Sequence, residues 1–120
     1  MKLACLAALG LLSLTTAAFA DPIESYTARL SANDHFNSNG ERLDNVAAII
    51  RQDRANYYVY GSHDREDEAD TFFSNKDNRA KLERMLNHGR ISASAEAAIL
   101  NGTPLIHVDI YEDFIAVTVE

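Results

Sequence analysis

Residues 25–32 alternate between apolar and polar side chains, which is the period of a half-buried β-strand. Tyr26, Ala28 and Leu30 share one face, and the polar residues between them, including Arg29, share the other. A polar outer face favours a position at the edge of a sheet. We therefore predict an edge strand whose outer side is able to pair with an extended segment of a partner protein.

The C-terminal residues 104–120 are dense in β-branched and aromatic side chains, with one short polar break at Glu112-Asp113. Two apolar runs on either side of a short polar break predict a β-hairpin. The apolar positions share one face of each arm, and they are Ile106, Val108, Ile110, Ile115, Val117 and Val119. A hairpin of this size is stable only when other elements cover its apolar face.

Between these strands the apolar period becomes helical, and the clearest helix runs from about Leu43 to Asn56. Asp44 is the predicted N-cap, because its carboxylate can accept hydrogen bonds from the first backbone N–H groups. The same period places Arg51, Asp53 and Arg54 on the solvent side of this helix.

Two further helices are predicted after an acidic stretch at residues 62–70. The first begins near Ser74 and ends before Gly89, and the second is short, capped by Ser92 or Ser94, and ends at Asn101-Gly102. Residues 33–40 are rich in Asn, Asp and Gly and predict a turn-rich loop between the first strand and the first helix.

This order of elements predicts an α+β fold. The N-terminal strand and the C-terminal hairpin would form a small antiparallel sheet, covered on one face by two to four helices. The first strand would pair with one arm of the hairpin, and the sequence pattern does not indicate which arm this is.

The first twenty residues have the three parts of a secretory signal peptide. Lys2 gives a positive start, residues 3–14 are apolar except for Gly10 and Ser13, and Ala18-Phe19-Ala20 provides small residues at a cleavage site. We predict cleavage between Ala20 and Asp21, of the bacterial type. Residues 21–120 would then be a single small domain in the periplasm or outside the cell, without membrane insertion after cleavage.

Charge and cysteine content narrow the classes of function. The only cysteine, Cys5, lies within the predicted signal peptide, so disulfides, thiolate metal sites and cysteine nucleophiles are not expected in the mature chain. Lys2 is the only charged residue before Asp21, so residues 21–120 carry 10 basic and 18 acidic residues, a net charge of −8. Such a chain is a poor candidate for binding nucleic acid, and no cofactor is expected.

Histidines and aspartates provide the one candidate for catalysis. His107 and Asp109 are two residues apart on a predicted strand and so share its polar face. If the loop containing Asp34 and His35 lies over that face, these four side chains could bind a metal ion, or a histidine could act as a general base beside a carboxylate. No HExxH or GxSxG motif supports a hydrolase of a familiar kind, and outward polar residues are usual on such a strand.

Tyr57, Tyr58 and Tyr60 crowd the end of the first predicted helix and offer rigid contact area with polar tips. With Tyr26 and Arg29 of the edge strand, they are the predicted residues for binding a partner. The sequence thus predicts a non-catalytic binding module whose partner is an unknown protein or small ligand. The alternative is a metal-assisted or general-base hydrolase that uses His35, His107 and Asp109, with Asp34 as a further metal ligand.

Overall fold

The computed structural model describes residues 21–120, and the predicted signal peptide at residues 1–20 lies outside them. Within the described part, the strands are β1 (Glu24–Arg29), β2 (Arg90–Ile91), β3 (Leu105–Ile110) and β4 (Ile115–Val119). The helices are α1 (Val46–Tyr58), α2 (Lys76–Arg79), α3 (Leu82–Asn87) and α4 (Ala93–Asn101). Two 3₁₀ turns span Ala32–His35 and Phe72–Ser74. Among residues 21–120, no helix is long and apolar enough to cross a lipid bilayer.

The strands form one mixed sheet in the order β1-β3-β4-β2. The antiparallel strands β3 and β4 are the two arms of the predicted hairpin, with Val108 opposite Val117. Strand β1 lies at one edge and pairs antiparallel with β3, the first arm, and β2 joins the other edge parallel to β4. The predicted α+β class is therefore confirmed, although the short β2 makes the sheet mixed rather than purely antiparallel.

One face of the sheet is buried beneath the helices, as the alternating pattern predicts. Its buried side chains are Tyr26, Ala28, Ile106, Val108, Ile110, Ile115 and Val117. The helices contribute Val46, Ala47, Ile49, Ile50, Leu82, Met85, Ala95 and Ile99 to the same core. Each large apolar side chain that is fully buried stabilises the fold by roughly 1.5–3 kcal/mol, so this layer is the main source of stability.

Helix α1 begins slightly later than predicted. Its N-cap is Asn45 rather than Asp44, and the Asn45 side chain accepts a hydrogen bond of 2.8 Å from the backbone N–H of Ala48. The helix also continues past Asn56 to Tyr58, so two of the three clustered tyrosines are helical.

The prediction for the outer side of α1 is right for Arg51, which is exposed, and wrong for Asp53 and Arg54. Asp53 is 2% exposed and Arg54 is 0% exposed. Asp53 and Arg54 follow the buried Ile49 and Ile50 by one helical turn and so lie on the covered face of α1. There Arg54 donates hydrogen bonds to the Glu68 carbonyl and the Asp70 carboxylate of the segment 62–70. The acidic stretch therefore has a structural role.

The region between residues 72 and 89 is divided into shorter helices than predicted. Asn75, rather than Ser74, caps α2, because its side chain accepts hydrogen bonds from the next backbone N–H groups. Gly89 follows α3 where the chain passes against β4, and a Cβ atom there would lie 1.8 Å from the carbonyl oxygen of Ile115. Close backbone approach, rather than a left-handed conformation, explains this glycine.

Candidate functional site

The structure separates the four residues of the predicted catalytic or metal site into two places. His107 and Asp109 stand on the open face of β3, where His107 Nε2 lies 3.0 Å from Asp109 Oδ1. Thr27 Oγ1 lies 3.2 Å from His107 Nδ1, and Ser25 donates a hydrogen bond of 2.6 Å to Asp109. Thr27 is directly opposite His107 and Ser25 directly opposite Asp109, so these contacts are those of facing cross-strand pairs.

Asp34 and His35 belong to the first 3₁₀ turn and are both buried. The ring nitrogens of His35 lie 2.8 and 2.7 Å from the carbonyl oxygens of Ser31 and Ile99, so neither nitrogen is open to a substrate. The second of these contacts satisfies a carbonyl in the last turn of α4. The two pairs therefore share no hydrogen-bond partner, and within residues 21–120 no three His, Cys, Asp or Glu side chains form a metal-binding group.

The outer edge of β1, predicted to accept a partner strand, is covered by the acidic segment. The backbone N–H of Thr27 donates to Glu68 and that of Arg29 donates to Asp67, each at 2.7 Å. The backbone N–H of Glu68 in turn donates to the carbonyl of Thr27. These carboxylates occupy the backbone donors that would otherwise pair with another chain, so a partner strand would have to displace this segment.

The predicted tyrosine surface is also divided. Tyr26 lies in the core, and Tyr57 and Tyr58 are half-buried. Tyr60 is 62% exposed and is the ring of this group that is accessible to a ligand.

Tyr26, Tyr57 and Tyr58 surround Arg54, a buried cation that the sequence did not reveal. The Arg54 guanidinium carbon lies 4.0 Å from the centre of the Tyr26 ring. Its Nε donates a 2.9 Å hydrogen bond to Asp53, and its Nη1 donates a 3.0 Å hydrogen bond to Asp70. One cation is thus shared by two buried carboxylates.

The two carboxylates differ in the support that they receive. Asp70 accepts hydrogen bonds from the Tyr58 hydroxyl and the Phe73 backbone N–H in addition to Arg54. Burial raises the pKa of Asp53 well above its ordinary value, and the attraction of Arg54 does not offset this effect. Burial, with the charge of Asp70, also raises the pKa of Tyr58 to about 12. Asp53, Arg54 and Asp70 hold α1 against the acidic segment and are closed to solvent, and Tyr58 is half-buried beside them. We therefore assign these groups to stability.

A more accessible arrangement lies at the other side of the C-terminal half of α1. Here a crevice of about 430 Å³, which we call the amide crevice, opens between α1 and the segment 33–38. Four carboxamides line it, and they are Asn33, Asn37, Gln52 and Asn56. Two hydroxyl side chains, Ser38 and Ser62, and two aromatic rings, Phe36 and Tyr60, complete its walls. Its volume lies within the range of small-molecule sites, about 300–1,000 Å³.

A chain of hydrogen bonds fixes the floor of the amide crevice. The Asp34 carboxylate accepts from the backbone N–H and hydroxyl of Ser31, at 2.9 and 3.1 Å. Its other oxygen accepts a 2.9 Å bond from Asn56 Nδ2, and Asn56 Oδ1 accepts a 2.8 Å bond from Gln52 Nε2. Because a carboxylate only accepts, this order sets the orientation of both amides. Asp34 is therefore a positioning residue beneath the crevice.

A larger groove of about 1060 Å³ runs between the start of α4 and the open sheet face. Three of its polar side chains, Ser92, Ser94 and Asp109, already have hydrogen-bond partners. Ser92 Oγ accepts from the backbone N–H of Ala95 and lies 3.1 Å from Ser94 Oγ, while Asp109 is bound to Ser25. The amide crevice presents more oriented polar groups and is the better candidate for a specific site.

One signal of the crevice is present in the sequence. Gln52 and Asn56 are four residues apart and so lie on one face of a helix, where such polar pairs interact. The other half of the crevice comes from residues 33–38, and sequence spacing does not show that the two segments meet.

Comparison of the chain with protein-family models, curated proteins and solved structures finds no significant match.

Proposed function

We propose that this protein is a small exported binding module, not an enzyme, and that it binds a small polar ligand in the amide crevice. The observation that carries the proposal is the hydrogen-bond chain from Asp34 through Asn56 to Gln52, which presents oriented amides at the floor of an open crevice. Oriented polar groups supported from below are what a specific binding site requires. Export is proposed from the signal-peptide pattern of residues 1–20.

A small ligand is favoured over a partner strand because the outer edge of β1 is already hydrogen-bonded within the protein. The carboxylates of Asp67 and Glu68 already occupy its outward N–H groups. The amide crevice, in contrast, is open, and Tyr60 stands exposed at its wall.

A thermal-shift screen of residues 21–120 tests this function. The screen would use small molecules grouped as neutral, anionic and cationic. A ligand present at a concentration one hundred times its Kd would stabilise the folded protein by about 2.7 kcal/mol. We expect a ligand from the neutral group to raise the melting temperature of the wild type but not of Tyr60→Ala. Val59→Ala is the matched control, because Val59 is equally exposed, at 59%, and does not line the crevice.

Two results would count against the proposal. One is that no compound raises the melting temperature. The other is that the shift persists unchanged in Tyr60→Ala and in Gln52→Leu, which would place the ligand elsewhere.

A second candidate function, general-base hydrolysis, is favoured by one observation. Thr27 Oγ1, His107 and Asp109 are joined in the order hydroxyl, imidazole, carboxylate, which is the order of a nucleophile, a base and the group that orients it. The imidazole is one-third exposed, and the backbone N–H of Thr27 is bound to Glu68 rather than directed at a substrate oxygen. Turnover of chromogenic esters by the wild type that is lost in both Thr27→Val and His107→Ala would establish this candidate; equal rates in all three proteins would remove it.

A further inference from the structure

We infer that the ligand of the amide crevice is a neutral saccharide, an assignment that rests on the proposed function and names its ligand class. The inference follows from three properties of the crevice: the hydrogen-bonding groups that it presents, its charge, and the placement of its aromatic rings.

The polar groups suit a ligand whose own groups both donate and accept. A carboxamide both donates and accepts, as neighbouring hydroxyls of a sugar do. Asn37 and Asn56 use both of these groups in hydrogen bonds within the protein, so the free groups come from the other two carboxamides. Gln52 donates one N–H to Asn56, and its carbonyl oxygen and second N–H make no hydrogen bond within residues 21–120. The Asn33 side chain is exposed and makes no hydrogen bond within residues 21–120. These free donors and acceptors are available to hydroxyl groups.

The lining of the crevice disfavours ionic ligands. Among residues 21–120, no lysine, arginine, aspartate or glutamate lines it. The buried Asp34 carboxylate lies beneath Asn56 and disfavours an anion, because the described lining residues offer it no cationic partner. Three hydrogen bonds to Asp34 already compensate its charge, so it does not provide a free carboxylate for a cation either. A neutral ligand is the one that this wall chemistry accommodates.

The aromatic rings provide the apolar part of the site. Phe36 is 42% exposed and Tyr60 is 62% exposed, and both line the crevice. A pyranose ring has a face of C–H groups that packs against such a ring while its hydroxyls reach polar neighbours. Phe36 is held in place from behind, because Arg42 pairs with its backbone and lies 5.8 Å from its ring centre. Arg42 is itself bound to the carbonyl of Leu100 at 2.6 Å. An aromatic surface fixed in this way loses little freedom on binding.

Nuclear magnetic resonance of ¹⁵N-labelled residues 21–120 tests the inference. The probes are maltose, cellobiose and N,N′-diacetylchitobiose, with digalacturonate as an anionic compound of similar size. We expect at least one neutral disaccharide to shift the side-chain amide signals of Asn33, Gln52 and Asn56, and digalacturonate to leave them unchanged. Phe36→Ala and Tyr60→Ala should each weaken binding by about tenfold or more, whereas Val59→Ala should not.

The outcomes separate the ligand class from the proposed function. If no disaccharide shifts these signals but a neutral peptide or another neutral compound does, the saccharide assignment is overturned and the binding module stands. If digalacturonate binds as tightly as the neutral disaccharides, the charge argument is overturned. If the sugars bind equally well to wild type, Phe36→Ala and Tyr60→Ala, the aromatic argument and the location are overturned together. If no compound of any class perturbs the crevice, both proposals fail.

Discussion

Replacement of Arg54 by methionine is the most direct test of how this fold is held together. The change keeps an unbranched side chain of similar length and removes the guanidinium. It deletes the hydrogen bonds to Asp53, Asp70 and the carbonyl of Glu68, which measure 2.9, 3.0 and 2.9 Å. It also removes the contact with the face of the Tyr26 ring.

The expected loss follows from the fate of the buried carboxylates. Removing one partner of a buried ion pair typically costs about 3–5 kcal/mol. The loss cannot exceed the free energy of protonating the aspartate, because a buried aspartate can bind a proton instead of remaining charged. Protonating an acid of ordinary pKa 3.9 at pH 7 costs about 1.4 kcal/mol per pH unit, or about 4 kcal/mol. Asp53 already has a raised pKa beside Arg54, so most of the new loss comes from Asp70. We therefore expect Arg54→Met to lose about 3–5 kcal/mol of the roughly 5–15 kcal/mol expected for such a domain.

Urea unfolding followed by circular dichroism measures this loss, and its dependence on pH provides the sharper test. In the variant the folded state keeps protons on carboxyl groups that the unfolded chain releases, so its stability falls as the pH rises. The limit that protonation sets at pH 5 is only about 1.5 kcal/mol per acid, so the difference from wild type should shrink from pH 7 to about pH 5. Arg51→Met is the matched control, because Arg51 lies on the same helix and is exposed; its effect should stay within about 0.5 kcal/mol.

A loss below about 1 kcal/mol at pH 7 would refute the reasoning, since the carboxylates would then not depend on Arg54. A loss that is the same at both pH values would show that packing, rather than charge, is responsible. If Arg54→Met does not fold, Arg54→Lys supplies a graded comparison, because it retains the charge and loses the shape that reaches both acids.

Three further changes have definite expected outcomes. The pKa of Asp53 is higher in the folded than in the unfolded state, so the stability of the wild type falls as the pH rises from about 3.9 through the folded pKa. Asp53→Asn cannot lose a proton there, so its stability should rise relative to that of the wild type over this range. A difference in unfolding free energy that stays constant with pH, measured by urea unfolding, would contradict this. Gly89→Ala places a Cβ 1.8 Å from a backbone oxygen, so the variant should lose about 3 kcal/mol of unfolding free energy or fail to fold. In Gly102→Ala the Cβ lies 3.2 Å from its nearest atom, and the same urea assay should show a loss of less than about 1 kcal/mol. His107→Ala should change thermal stability by less than about 1 kcal/mol and leave ligand binding unaltered, because its pair with a carboxylate is partly exposed; a larger loss would give the open sheet face a structural role that we do not assign to it.

The strands and the buried sheet face could be predicted because they depend on local alternation. Tyr26, Ala28, Ile106 and Val108 lie on the face that the period of two assigns to them. Strand β2 could not be predicted in this way, because Arg90–Ile91 is too short to show a period. Its pairing with β4 depends on where α4 returns the chain, which is a long-range property.

The burial of Asp53 and Arg54 was missed for a different reason. Charged residues are expected in solvent, but Asp53 and Arg54 follow the buried Ile49 and Ile50 by one helical turn and lie on the covered face of α1. Arg54 is accommodated there because it contacts the Tyr26 ring and binds Asp70, which belongs to a distant part of the chain. Three acids of the acidic segment, Asp67, Glu68 and Asp70, also bind backbone N–H groups at the sheet edge and before α2, which its acidic composition does not indicate.

The amide crevice and the Arg54 cluster use neighbouring positions of one helix for opposite purposes. Asp53 and Arg54 face closed surroundings, and Gln52 and Asn56 face the crevice. The two environments are linked electrostatically, because the charge of Asp34 beneath the crevice contributes to the raised pKa of Asp53. The same carboxylate that orients the crevice amides therefore makes the buried side of the helix more dependent on Arg54. A fully buried ion cluster is weak evidence for stability on its own, since well-packed apolar residues often do as well. Here it holds the last two turns of α1 in one position, and a crevice whose amides project from those turns requires that rigidity to recognise a ligand.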